Sequence, residues 1–180
     1  MELGLTWPLQ RFLREAPGYG MPEPDVFCWD LHRIVLWGRD CLLLVHSLTR
    51  YTCLRFDLTA GEWSDLVSTV RMEIRQGLME GGLSAGEAEA YLQEAGPCVK
   101  TRTHGRRPVA YLNRAWEDVL LAEPLLNPEE GHQTLLCQMV NNGRSRAAAY
   151  PEPGRPVDFL LDCMEKRNLR NRDGSEGSRI

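Results

Sequence analysis

The chain has 180 residues, of which 43% are hydrophobic and 26% charged, and its formal net charge is −4. That length suits one domain closed around one core, and the composition excludes disorder along most of the chain. The negative balance excludes a bulk positive field for nucleic acid or anionic lipid and leaves room only for a local basic patch. Nineteen of the 21 cations are Arg, a skew that fits a GC-rich genome more readily than a specialised site.

In chain order, Leu3 to Leu5 predict a short strand. Thr6 then caps a helix reaching about Glu15, with Pro8 tolerated in its first turn and Trp7, Leu9, Phe12 and Leu13 on its apolar side. Residues 16–24, APGYGMPEP, form a loop. From Val26 to Asp57 the alternation predicts a three-stranded antiparallel meander, with turns at Gly38-Arg39-Asp40 and at Ser47 to Arg50. The middle run, Cys41-Leu42-Leu43-Leu44-Val45, is apolar at every position, so both of its faces need cover.

Thr59-Ala60-Gly61-Glu62 has capping-box spacing, and Trp63, Leu66, Val67, Val70, Ile74 and Leu78 follow as one helical stripe ending at Gly81-Gly82. Ser84-Ala85-Gly86-Glu87 repeats the box and opens a helix with Ala88, Tyr91, Leu92 and Ala95 inward. Cys98 to Thr103 predicts a fourth strand. Pro108 starts a helix whose inward set is Val109, Leu112, Trp116, Val119 and Leu120. Asn127-Pro128-Glu129-Glu130 starts another, leading to Leu135, Leu136, Met139 and Val140. After the loop Tyr150-Pro-Glu-Pro-Gly, Pro156 begins a last helix with Val157, Leu160, Leu161 and Met164. The expected architecture is α+β: an antiparallel meander of three to five strands covered by about five helices. It forms a single domain over residues 1–167, with a flexible polar tail over 168–180.

The N-terminus lacks the basic, apolar and small-residue succession of a signal peptide, and no apolar run approaches the roughly 18 residues of a membrane span. Six cysteines, Cys28, Cys41, Cys53, Cys98, Cys137 and Cys163, occur without C-x-x-C spacing. They are expected to be reduced core thiols of a cytoplasmic protein, and neither a metal site nor a cofactor is expected. Gly82-Leu83-Ser84-Ala85-Gly86 matches the G-x-S-x-G of a nucleophile elbow, but a helix precedes it where that motif needs a strand, and Ser84 already serves as an N-cap. His32 and His46 flank apolar strands as structural groups. Trp7, Trp29, Trp37, Trp63 and Trp116 mostly fall on core stripes.

The segment from Lys100 to Arg107 packs four cations and one histidine just before a helix start. Lys100, Arg102, His104, Arg106 and Arg107 are therefore the candidate partner- or anion-binding set, because guanidinium groups and helix N–H groups suit phosphate or carboxylate. His104 could act as acid or base on a bound RNA strand. The plain alternative is a solvated strand edge and turn.

The order of these features resembles a small bacterial family catalogued only as a domain of unknown function. Members open with a T-x-K-L-like helix start and continue with a meander of the type WHANLFYIDRRKCLLFTN. Two helices around a glycine-rich joint and a T-K-T-x-N-R-S segment follow. The matching pieces here are Thr6-Trp7-Pro8-Leu9, Trp29 to Ser47, Gly81-Gly82 and Thr101 to Arg107, over roughly residues 3 to 125. Trp29-Asp30 stands where the family has W-H, and Arg107-Pro108 where it has Arg-Ser, so no role for that histidine or serine carries over. The resemblance implies an α+β fold and a bacterial cytoplasmic setting, and it implies no reaction.

Without a catalytic constellation, the leading expectation is a non-enzymatic interaction or regulatory module, of a mobile-element or defence context. Its cationic loop would hold a protein partner, and an open sheet face could form a homodimer. A metal-independent toxin-type ribonuclease using His104 with Arg106 and Arg107 is the alternative. RNA or DNA binding without cleavage is a third.

Overall fold

The computed structural model describes residues 1–20 and 25–170. Its centre is a five-stranded sheet of β1 (Glu2–Leu5), β2 (Cys28–Leu36), β3 (Arg39–His46), β4 (Thr52–Arg55) and β5 (Val99–Arg102), in the order β4-β3-β2-β1-β5. The meander β2–β3–β4 is antiparallel as expected. The sheet as a whole is mixed, which corrects the antiparallel expectation: β1 inserts between β2 and β5 and runs parallel to both. Hairpin turns are visible in local sequence, whereas parallel neighbours are joined by long crossovers that leave no local mark. The first hairpin closes on Trp37 and Gly38, both at positive φ, as a two-residue type I′ loop requires.

Seven α-helices lie among the described residues rather than about five: α1 (Trp7–Leu13), α2 (Ala60–Ser64), α3 (Leu66–Glu80), α4 (Ala85–Glu94), α5 (Arg106–Leu121), α6 (Thr134–Asn142) and α7 (Pro156–Lys166). The stripe from Trp63 to Leu78 is divided between α2 and α3. Asp65 leaves helical geometry and its side chain accepts from the Ser68 N–H, capping the second piece. Both capping boxes form, Thr59 with Glu62 and Ser84 with Glu87. The helix expected at Asn127 starts instead at Thr134, because the Asn127 side chain accepts from the Glu129 N–H and the Gln133 amide ties back to the Asn127 backbone, closing a turn. Tyr150–Gly154, expected as loop, is β7 of a small hairpin with β6 (Ser145–Ala147). At the C-terminal end Leu169 is buried and Arg170 pairs with Glu165; the rest of the expected tail, 171–180, lies outside the described residues.

The strict alternation of β3 sends Leu42 and Leu44 to one core, with Val70, Ile74 and Leu78 of α3 and Leu160 and Met164 of α7. Cys41, Leu43 and Val45 go to a second core, with Leu112 and Val119 of α5 and Leu136 and Val140 of α6. Both sheet faces are thus covered, which removes the open face expected for a homodimer. Fully burying one Leu side chain is worth about 1.5–3 kcal/mol, so this one strand anchors two helical layers at once. The apolar surface lies elsewhere: α5 and α6 are rotated from the expected orientation, leaving Leu121, Leu135 and Met139 more than half exposed. Of the five tryptophans only Trp29 is fully buried, while Trp7 and Trp37 are largely exposed.

Candidate functional site

The cationic segment does not form one surface. Lys100 is ion-paired to Glu15 at 2.6 Å. Arg102 lies over the Tyr19 ring, 4.8 Å from its centroid, and donates to the Pro17 carbonyl and the Tyr19 hydroxyl. Arg106 opens α5, and Arg102 and Arg106 share a groove of about 460 Å³ with Trp7, Gln10, Tyr19 and Gly105. Arg107 follows on the helix, and among the described residues neither Arg106 nor Arg107 forms an ion pair.

His104 leaves this surface altogether. Its ring turns inward over β1, where Gly4 supplies a floor with no side chain; a Cβ at Gly4 would overlap Asp30 Oδ1 and stand 2.9 Å from the imidazole. Parallel pairing places Glu2 beside Cys28 and Gly4 beside Asp30 on the same sheet face. The Nδ1–H of His104 donates to Asp30 Oδ1 at 3.1 Å, its backbone N–H donates to the same oxygen, and its Nε2–H donates to Glu2 Oε2 at 3.2 Å. Ser47 in turn donates to Asp30 Oδ2 at 2.9 Å. Glu2 and Asp30 are only 4% and 1% exposed. Burial alone lowers the His104 pKa, but hydrogen bonds with Asp30 and Cys28 and the Asp30 charge outweigh it and raise the value to about 10. These partners favour the protonated ring at neutral pH. A second cleft, of about 420 Å³, opens beside Glu2 and is lined by Gly18, Tyr19, Gly20, Lys100 and Thr101.

The remaining histidines are structural. His46 is fully buried. Its Nε2–H donates to the Val26 carbonyl and its Nδ1 accepts from Thr49, and burial lowers its pKa to about 4. His32 bonds Thr6 and meets the Trp116 ring edge-on. His132 bridges two carboxylates of α3, donating to Glu73 at 2.5 Å and Glu80 at 2.7 Å. Burial lowers its pKa, but the bonds to Glu73 and Glu80 prevail and raise it to about 9. Ser84 is an N-cap on a helix-to-helix joint and no nucleophile elbow.

Two groupings escape local sequence reading. Glu2, Cys28, Asp30 and His104 meet only through the parallel β1–β2–β5 pairing. The Glu73–Glu80 spacing on α3, two turns on one face, is the only local hint of the His132 clamp.

This is an α+β domain with a mixed sheet between two helical layers, carrying a buried histidine–carboxylate–thiol cluster beside a shallow arginine–aromatic groove. Residues 2–153 match the family described as domain of unknown function DUF6933, and the chain belongs to that family. None of the curated proteins matches the chain.

Proposed function

We propose that the protein is a non-enzymatic binding module that holds an acidic segment of a partner protein in the groove between Trp7, Tyr19, Arg102 and Arg106. One observation carries this: two arginines and two exposed aromatic rings line one groove at the start of the sixteen-residue helix α5. Guanidinium groups fork onto carboxylates, and the rings stack on the guanidinium planes or on an apolar neighbour of the acidic residue. The binding reading is preferred to the ribonuclease alternative, whose His104 bonds Asp30 and Glu2. The same rings offer stacking faces to single-stranded RNA, which keeps nucleic-acid binding as the second reading. A regulatory role in a bacterial cytoplasm fits six cysteines outside disulfides and the absence, among the described residues, of a helix long and apolar enough to cross a membrane. A homodimer would use the exposed leucines of α5 and α6.

The test is a fluorescence-anisotropy titration with a labelled glutamate-rich peptide and, in parallel, a labelled oligouridylate. The peptide binds, and Arg106→Ala weakens it about tenfold, since a hydrogen bond to a charged group is worth roughly 1.5–3 kcal/mol. Tighter binding of the oligouridylate with a steep salt dependence would favour the nucleic-acid reading; binding of neither probe would remove the groove as a site.

A further inference from the structure

We propose that Glu2, Cys28 and His104 form a binding site for a divalent transition metal of the zinc class, with Asp30 as the residue that orients the histidine. The Glu2 carboxylate, the Cys28 sulfur and a His104 ring nitrogen lie within 4.8 Å of one another. In a tetrahedral site with bonds of about 2.0–2.3 Å, ligand atoms stand roughly 3.2–3.8 Å apart. His104 Nε2 and Glu2 Oε2 are already 3.2 Å apart, so an ion can enter where a proton now joins them.

Three further features separate this cluster from a chance meeting of polar groups. The histidine is oriented as metal ligands are: Nε2 faces Glu2, while Nδ1–H is held by Asp30, which is itself fixed by Ser47. This carboxylate–histidine arrangement sets the tautomer and ring angle at metal centres. The charge is also unbalanced. Two buried carboxylates face a single imidazolium, and among the described residues no other cationic side chain pairs with either. Lys100 is engaged with Glu15. An entering ion therefore meets anionic donors with no competing cation, and because it displaces two protons the net charge of the cluster is unchanged. Finally, Glu2 also lines a cleft that opens to solvent.

The exchange balances without any redox step. A divalent ion enters, the Nε2 proton of His104 and the thiol proton of Cys28 leave to water, and the Nδ1 proton stays on the hydrogen bond to Asp30. Neutral imidazole, carboxylate and thiolate then offset the ion's charge. Nitrogen, sulfur and oxygen together select zinc-class ions over magnesium or calcium. Three protein ligands leave the fourth position to water, the ligand count of an exchangeable site rather than a closed structural one.

Cobalt titration of the full chain, stripped with a chelator and kept reduced without thiols, tests the assignment. One Co²⁺ binds per chain with a thiolate-to-cobalt charge-transfer band, and Zn²⁺ bleaches it. Cys28→Ser abolishes the band, Cys98→Ser leaves it, and Asp30→Asn weakens binding about 10- to 100-fold. Should Cys28→Ser not fold, X-ray absorption of the zinc-loaded wild type decides, with one sulfur and otherwise nitrogen and oxygen neighbours expected. No cobalt band in the folded wild type, a band that survives in Cys28→Ser, or a zinc shell without sulfur would overturn the site.

Discussion

The His132 clamp makes stability depend on pH in a direction that can be worked out. Glu73 and Glu80 approach the ring from α3, while Arg55 of β4 lies against Gly131 but spends its charge on Glu62. Thr134 and Gln76 complete the bonds to Glu80. The folded pKa of about 9 exceeds the ordinary 6.5, so the folded state holds its proton more tightly. The stabilisation is complete below the ordinary value and disappears as pH rises towards the raised one. At 1.36 kcal/mol per pKa unit the difference amounts to roughly 3 kcal/mol, or about 2 kcal/mol after discounting for solvent that reaches the ring. His132→Gln leaves two carboxylates facing a neutral amide. Its cost relative to wild type is about 3 kcal/mol near pH 6 and about 1 kcal/mol near pH 10. Urea unfolding of both proteins at both pH values measures this, and the comparison cancels the titrating groups that do not touch the ring, His104 included. An equal gap between the two proteins at both pH values refutes the clamp.

Other substitutions probe the remaining layers. Gly4→Ala pushes a methyl group into Asp30 and the His104 ring; about 1–3 kcal/mol of stability is lost, and the His104 ring resonances shift in NMR spectra. Tyr91→Phe strands the Trp29 indole N–H, which donates to the Tyr91 hydroxyl at 2.9 Å in a fully buried pair. Thermal unfolding should register a loss of about 1–3 kcal/mol. Asn141→Ala removes a side-chain amide that imitates a strand, accepting from Thr52 N–H and donating to Thr52 C=O. The loss is roughly 2 kcal/mol, with faster hydrogen exchange at the Thr52 amide, whereas an unchanged exchange rate would show that α6 does not hold this end of β4.

Much of the scaffold is legible because its signals are local. Five consecutive apolar residues from Cys41 to Val45 announce a strand buried on both sides, and the two S/T-x-x-E boxes announce their helix starts. The parallel placement of β1 is not legible, since Glu-Leu-Gly-Leu contains nothing that names its neighbours. The same gap hides the cluster around His104. Read locally, this histidine belongs to a run of arginines at a turn; in the fold, a glycine in a distant strand makes room for its ring and two distant carboxylates draw it in. Arg102 and Arg106 line one groove, because a strand end and a helix start flank one short turn. The rotation of α5 and α6 is not legible either, because the helices approach on a face carrying the small Ala115 and Cys137 rather than the larger Trp116 and Met139.

The outer edge of β5 carries a cost for whoever mutates it. It is the last strand of the sheet, its Val99 is largely exposed, and the Arg102 amide is covered by the Gly18 carbonyl. Lys100 and Arg102 stand along that border as gatekeepers against strand-to-strand annealing between copies, a hazard of any bare sheet border. Neutralising both would invite self-association whatever the groove binds. Any lost affinity in such a double mutant therefore counts only when it is measured on material shown to be free of aggregates.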